Sequence, residues 1–123
     1  MPALILGEIW MLGVISNSHG RADAVAAAVE VFAASAVESI VHCGDVGGRH
    51  VLDVIARLGG VFVWGDRDHD RTGLMRYSYN LGVRCLGIMG EIELLDKKIV
   101  ITHGDDKKLI HKLLKEQQYD YLL

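Results

Sequence analysis

Residues 39–68 read SIVHCGDVGGRHVLDVIARLGGVFVWGDRD, and this stretch decides the fold. Ser39 to Cys43 is β-rich and stops at Gly44-Asp45. His50 to Leu58 then carries apolar residues at helical spacing and is closed by Gly59-Gly60, the glycine punctuation expected after a helix. Val61 to Trp64 is a second short apolar run, broken at Gly65-Asp66. Strand, helix and strand in close succession form a βαβ unit, whose two strands lie parallel in one sheet.

The alternation continues on both sides. Upstream, Met11 to Ser16 reads as a buried strand running into the turn SNSHG, and Ala22 to Ser35, rich in Ala and free of Gly and Pro, reads as a helix. Downstream, Thr72 to Asn80 reads as a weaker, irregular helix. Val83 to Met89, Glu91 to Leu95 and Lys98 to Thr102 read as strands, the last two joined by Asp96-Lys97 as a tight hairpin. Asp106 is placed to cap a helix from Lys107 to Gln118 with Leu109, Ile110, Leu113 and Leu114 as its apolar stripe, and residues 119–123 (YDYLL) begin a further strand. The expectation is a mainly parallel α/β sheet covered on both faces, with the late hairpin starting a second sheet.

Composition narrows the class. The chain has 123 residues, 50% of them hydrophobic and 24% charged, and it reads as one domain spanning residues 1–123. The net charge of -3 and the scattered basic residues give no electrostatic footprint for nucleic acid or an anionic membrane. Residues 1–10 read either as an N-terminal extension or as an extra edge strand. No Lys or Arg precedes their apolar run and Glu8 interrupts it, which excludes a signal peptide, and the run is short of the roughly 20 residues of a membrane span. Cys43 and Cys85 lack CxxC spacing and read as buried, reduced thiols of a cytoplasmic protein.

Each early strand ends in side chains able to hold a metal: Asn17 and His19, then Asp45, then Asp66 and Asp68, and a later strand ends in His103. Ligands of α/β sheets bind beyond the carboxyl ends of the strands, so these clusters are expected to converge. Mixed imidazole and carboxylate donors suit Mn, Fe or Zn better than Mg or Ca, and a carboxylate such as Asp45 can bridge two ions about 3.5–4 Å apart. The alternative for Asp66 and Asp68 is a solvated acidic loop capping the next helix. His42 reads as a core histidine or one supporting the ligands, His111 as part of a polar helix face, and Gly20, Gly44, Gly47 and Gly48 as turn residues.

In order and spacing, ISNSHG, VHCGDVGG, VWGDRD and VITHGD resemble the motifs of the calcineurin-like metallophosphoesterases, in particular their small bacterial and archaeal phosphodiesterase branch. The resemblance runs from Met11 to the end of the sequence. It implies a metallophosphoesterase-type α/β/β/α sandwich. It also implies two divalent ions (Mn, Fe, Zn or Ni), one held by Asn17 and His19, the other by Asp66 and His103, with Asp45 between them.

Departures from the family pattern carry information. The family has Asp where this chain has Asn17 and Asn where it has Asp66, so the two positions are exchanged and charge moves from one ion to the other. The family continues into a Gly-His-x-His segment; the sequence stops at Leu123, which reads as a domain lacking its C-terminal part, either truncated or degenerate. Arg67 stands where other branches place a proposed proton donor; it can contact a phosphate oxygen but cannot serve as a general acid at neutral pH. Asp68 is expected to orient the shared ligands.

The resulting expectation is a metal-dependent phosphodiesterase or phosphatase acting on a small phosphate ester with metal-activated water. The alternative is a non-catalytic scaffold of the same fold. A flavodoxin-like domain ranks last, because it gives no reason for histidines at strand ends. An uncovered apolar edge around Tyr119 to Leu123 is expected to favour homo-oligomers.

Overall fold

The computed structural model describes residues 3–5 and 11–123. In chain order the elements are β1 (Leu4–Ile5), β2 (Leu12–Ile15), α1 (Ala22–Ala34), β3 (Ser39–His42), α2 (Arg49–Ile55), β4 (Gly60–Phe62) and α3 (Arg71–Leu81). They continue as β5 (Arg84–Cys85), β6 (Met89–Leu94), β7 (Lys97–Thr102), α4 (Lys107–Glu116) and β8 (Tyr121–Leu122). Two four-stranded sheets result, ordered β2-β3-β4-β5 and β1-β6-β7-β8.

The first sheet is wholly parallel. Its strands follow one another without reversal, so right-handed crossovers place α1, α2 and α3 on the same face. Period-2 alternation then divides each strand between two cores. Ile40, Phe62 and Trp64 pack with Val25, Val29 and the α2 residues Val51, Leu52 and Ile55 on the helix side. Their neighbours Val41, Val61 and Val63 face Ile92, Ile99 and Ile101 of the second sheet. A sheet buried on both sides explains why β3 and β4 read as continuous apolar runs. Leu109 and Leu113 of α4 lie near Met89 and Val100 across the outer face of the second sheet. The layers are α/β/β/α, as the resemblance implies. None of the described helices is long and apolar enough to cross a membrane.

Several local readings need correction. The run Val83 to Met89 is not one strand: β5 pairs with β4 in the first sheet, Gly87 turns at φ +85°, and β6 starts at Met89 in the second. A continuous apolar run hides a sheet-to-sheet crossing because both cores select the same side chains. The hairpin turns at Leu95-Asp96, not Asp96-Lys97: Leu94 pairs with Lys97, and both turn residues have positive φ (50° and 63°), the two-residue geometry that matches strand twist. Leu4–Ile5 pairs in parallel with β6 at the sheet edge, the edge-strand alternative; residues 1–2 and 6–10 lie outside the described ones. The stretch around Thr72–Asn80 is a regular helix, while the helix read to Leu58 ends at Ile55 and the one read to Gln118 ends at Glu116. Asp106 does cap α4, accepting from the Leu109 N–H at 3.1 Å.

Phe62 is fully buried and meets Trp64 edge-to-face at 5.1 Å, directly beneath the loop that carries Asp66. Phe62→Ala is expected to cost about 3–5 kcal/mol, read as a lower urea midpoint at unchanged slope; a midpoint near wild type contradicts this packing.

Candidate metal centre

All the singled-out strand ends lie at the carboxyl edge of the first sheet or on the second-sheet strand beside it. Beyond β2 and β3 the backbones stay laced together: the N–H groups of Asn17, His19 and Gly20 donate to the carbonyls of Gly44, Asp45 and Val46 at 2.9–3.0 Å. Asn17, His19 and Asp45 hold left-handed backbones with φ of 56°, 45° and 58°. Asn, Asp and His tolerate this region better than most side chains do, yet each still costs on the order of 1 kcal/mol. Such strain persists only where other contacts impose it.

Those contacts centre on Asp68, which is buried. Its Oδ2 accepts from the N–H groups of Asp45 and Gly65, both at 2.9 Å, and its Oδ1 from Gly47 at 3.1 Å. The loops after β3 and β4 are thereby clamped to one carboxylate. Asp68 does not cap α3, whose N-cap is Asp70. The Arg67 N–H reciprocates by donating to Asp45 Oδ1 at 2.9 Å, which leaves Asp45 Oδ2 facing the site. Arg71 braces the same loop, with its guanidinium bonded to the Gly65 and Asp68 carbonyls and lying over the Trp64 ring.

His103 enters from β7 and ties the second sheet to the first. Its Nδ1–H donates to the Cys43 carbonyl at 2.8 Å, so Nε2 points away, 3.2 Å from Asp45 Oδ2 and 3.2 Å from Asp66 Oδ1. Gly44 makes this reach feasible: it has φ +106°, and a Cβ there would stand 2.7 Å from His103 Nδ1. Burial lowers the proton affinity of His103, but the Cys43 carbonyl and the carboxylates of Asp45, Asp105 and Asp66 outweigh it and raise its pKa. The field that favours a proton on Nε2 favours a metal cation at the same point. Asp45, Asp66 and His103 are the one group of ligand-type side chains, among the described residues, whose donor atoms lie within 4.8 Å of one another. An imidazole nitrogen braced by a carbonyl, with two carboxylate oxygens, is a donor set that fits a divalent transition ion.

Asn17 and His19 are brought alongside by backbone but stay outside this group. The Asn17 amide donates to Ser16 Oγ at 2.9 Å, and the His19 ring is exposed. Arg67 is exposed at the rim. His42, read as core or supporting, is fully buried and accepts the Gly44 N–H on Nδ1 at 3.1 Å. That fixes the proton on Nε2, which donates to Ser18 Oγ at 2.8 Å, while Ser18 donates onward to the Val46 carbonyl. Ser18 and Arg71 have no signal in the sequence, because their partners are backbone groups brought near only by the fold.

The family profile of the calcineurin-like phosphoesterase superfamily domain matches residues 11–123. A phosphodiesterase of Methanocaldococcus jannaschii is 24% identical over 91% of this chain and 69% of its own length. A probable metallophosphoesterase of the same organism is 32% identical over 97% of this chain and 59% of its own. The chain thus spans about six- to seven-tenths of the curated relatives it matches. Among solved structures, a novel archaeal phosphodiesterase superposes with a TM-score of 0.82 at 24% identity, covering 90% of this chain and 69% of that one. Yfce, a phosphoesterase from E. coli, superposes at 0.58 with 22% identity, covering 76% of this chain and 57% of that one. These similarities share the fold.

Burial holds His42 near pKa 4, well below its ordinary 6.5, against the smaller upward pull of Asp68 and Asp45. Between those values the unfolded chain binds a proton that the folded one refuses. Stability therefore falls as pH drops from 6.5 to 4, by up to about 3 kcal/mol from this residue, and is unaffected by it above 6.5. Urea unfolding of His42→Gln should show a flatter pH dependence than wild type across that window; equal slopes contradict a neutral, bonded His42.

Proposed function

The chain belongs to the calcineurin-like phosphoesterase superfamily, and on that premise we propose that it hydrolyses a small phosphate ester, with water as nucleophile and a divalent cation held by Asp45, Asp66 and His103. The observation that supports it best is the meeting of Nε2 with two carboxylate oxygens, each 3.2 Å away, from three separate strand ends. A cation bound there supplies Lewis-acid activation of water and neutralises charge on the phosphoryl oxygens.

The chain's own residues set the rest. Asp68 and the Arg67 N–H hold Asp45 so that one oxygen faces the site. The Arg67 side chain, exposed at the rim, is placed to bind a non-bridging phosphate oxygen and remains charged throughout. Burial raises the Cys43 thiol to about 11, leaving almost no thiolate at neutral pH, which accords with water as the nucleophile. The reaction balances as diester plus water giving monoester plus alcohol. Asn17 and His19 are the donors for a second ion sharing Asp45, bound more weakly because an amide replaces a carboxylate. Free Cys43 and Cys85 fit a reducing cytoplasm.

Calorimetry with Mn²⁺ should show one tighter and one weaker site, the tighter weakened in Asp66→Asn and lost in Asp66→Ala, and both lost in Asp45→Asn. No binding of Mn²⁺, Zn²⁺ or Ni²⁺ at millimolar concentration overturns the metal assignment. With Mn²⁺, hydrolysis of bis-p-nitrophenyl phosphate should fall at least a hundredfold in Asp45→Asn, about 2.7 kcal/mol of transition-state stabilisation, and rise in Asn17→Asp. Protein that binds metal in both sites and hydrolyses neither mono- nor diesters is a scaffold, the reading that the neutral, Ser16-bonded Asn17 favours.

A further inference from the structure

Beside the metal centre lies a cleft of about 630 Å³ between the loop after β4, the start of α2 and the outer face of α3. It shares its rim with the centre, since Arg67 lines it while the Arg67 N–H holds Asp45. Arg49, Arg67 and Arg76 line it from three different elements. Among the described residues, none of these guanidiniums has a carboxylate within 4.0 Å or a side-chain hydrogen bond. Three guanidiniums converging on one concave wall give it a positive field, opposed within the lining only by Asp68 and Asp70.

Of the two carboxylates in the lining, one is engaged by backbone. Asp68 is occupied by three backbone N–H groups, while Asp70, the N-cap of α3, makes no side-chain capping bond and offsets one of the three positive charges. Arg49 is held in place: its guanidinium sits 5.5 Å from the Tyr77 ring centroid, and the Tyr77 hydroxyl donates to Asp53 Oδ1 at 2.5 Å. That chain links α2 to α3 and fixes one wall before any ligand arrives. Planar guanidiniums at fixed positions suit phosphate oxygens, which they bind through paired N–H bonds.

We infer that this cleft receives a second anionic group of the substrate, so that the ester cleaved carries a further phosphate on its leaving-group side, as in a diphosphate-containing ester. The inference rests on the phosphoesterase reading, in which the scissile phosphate sits over Asp45, Asp66 and His103. Acidic centre and basic cleft then divide one substrate between them: the carboxylates hold the cation that binds the scissile group, Arg67 stands at the shared rim, and Arg49 and Arg76 bind the remainder directly. Electrostatic focusing in a concave, cationic wall strengthens that contact and makes it sensitive to salt.

The test is binding of inorganic pyrophosphate to chelator-treated, metal-free protein, followed by calorimetry, with thermal melting to show that each variant is folded. Pyrophosphate should bind, weaken about tenfold between low and high salt, and weaken a further fivefold to tenfold in each of Arg76→Gln and Arg49→Gln. Adenosine, which lacks the anion, should not bind, while ADP should. Absence of pyrophosphate binding, or binding unaltered in both variants, overturns the inference. The readout does not depend on turnover. Pyrophosphate binding by protein that cleaves no ester contradicts the phosphoesterase reading and retains the cleft as an anion site; hydrolysis without pyrophosphate binding overturns the cleft.

Discussion

The buried carboxylate of Asp68, taking N–H bonds from Asp45, Gly47 and Gly65, is the constraint on which the site depends. Hydrogen bonds to a charged group contribute about 1.5–3 kcal/mol each, and three of them outweigh the roughly 1 kcal/mol cost of a left-handed Asp45. The clamp therefore wins over the local preference of the backbone. It turns Asp45 so that one oxygen receives the Arg67 N–H and the other meets His103. Gly47 belongs to the same constraint, with φ +91° and no Cβ to strike the backbone of His19 and Gly20. Without the clamp, the loops after β3 and β4 would have no reason to share a geometry.

His103 extends the constraint to the second sheet. Its bond to the Cys43 carbonyl crosses the sandwich, so the packing of Ile92, Ile99 and Ile101 against Val41, Val61 and Val63 also sets the distance from Nε2 to the carboxylates. Core and site are in this sense one structure. On the opposite side, His42 and Ser18 join the loop bearing Asn17 and His19 to the loop bearing Asp45 through bonds that leave no orphaned donor.

The parts of this arrangement legible in the sequence are those governed by local chemistry. Short apolar runs ended by Gly-Asp identified β3 and β4, because a strand buried on both faces admits little else. The repeated placement of Asp and His after strands indicated that Asn17, His19, Asp45, Asp66 and His103 would converge, since parallel topology brings carboxyl ends together; Asp45, Asp66 and His103 meet closely, while the Asn17 and His19 side chains stay outside that group. The Asp106 cap was legible for the same local reason. What escaped reading is set by partners distant in sequence. The crossing at Gly87 hides inside an apolar run, and the arginine-lined cleft depends on how α2 meets α3. The resemblance to the family implied different roles for Asp66, a ligand, and Asp68, an orienting residue; what it could not show is how, with Asp66 presenting its carboxylate to His103 and that of Asp68 taken up by backbone N–H groups.

The exchange of Asn17 and Asp66 gives the site its individuality. A carboxylate at position 66 concentrates negative charge around His103, while the amide at position 17 turns to Ser16. The proposed reading is therefore one strong cation site at Asp45, Asp66 and His103, with any second ion bound less firmly. Anomalous diffraction from crystals grown with Mn²⁺ tests this most directly. The account predicts the strongest anomalous peak bonded to Asp45, Asp66 and His103 Nε2, with a weaker one or none near Asn17 and His19. A strongest peak at Asn17 and His19, or manganese found only on surface carboxylates away from His103, contradicts it.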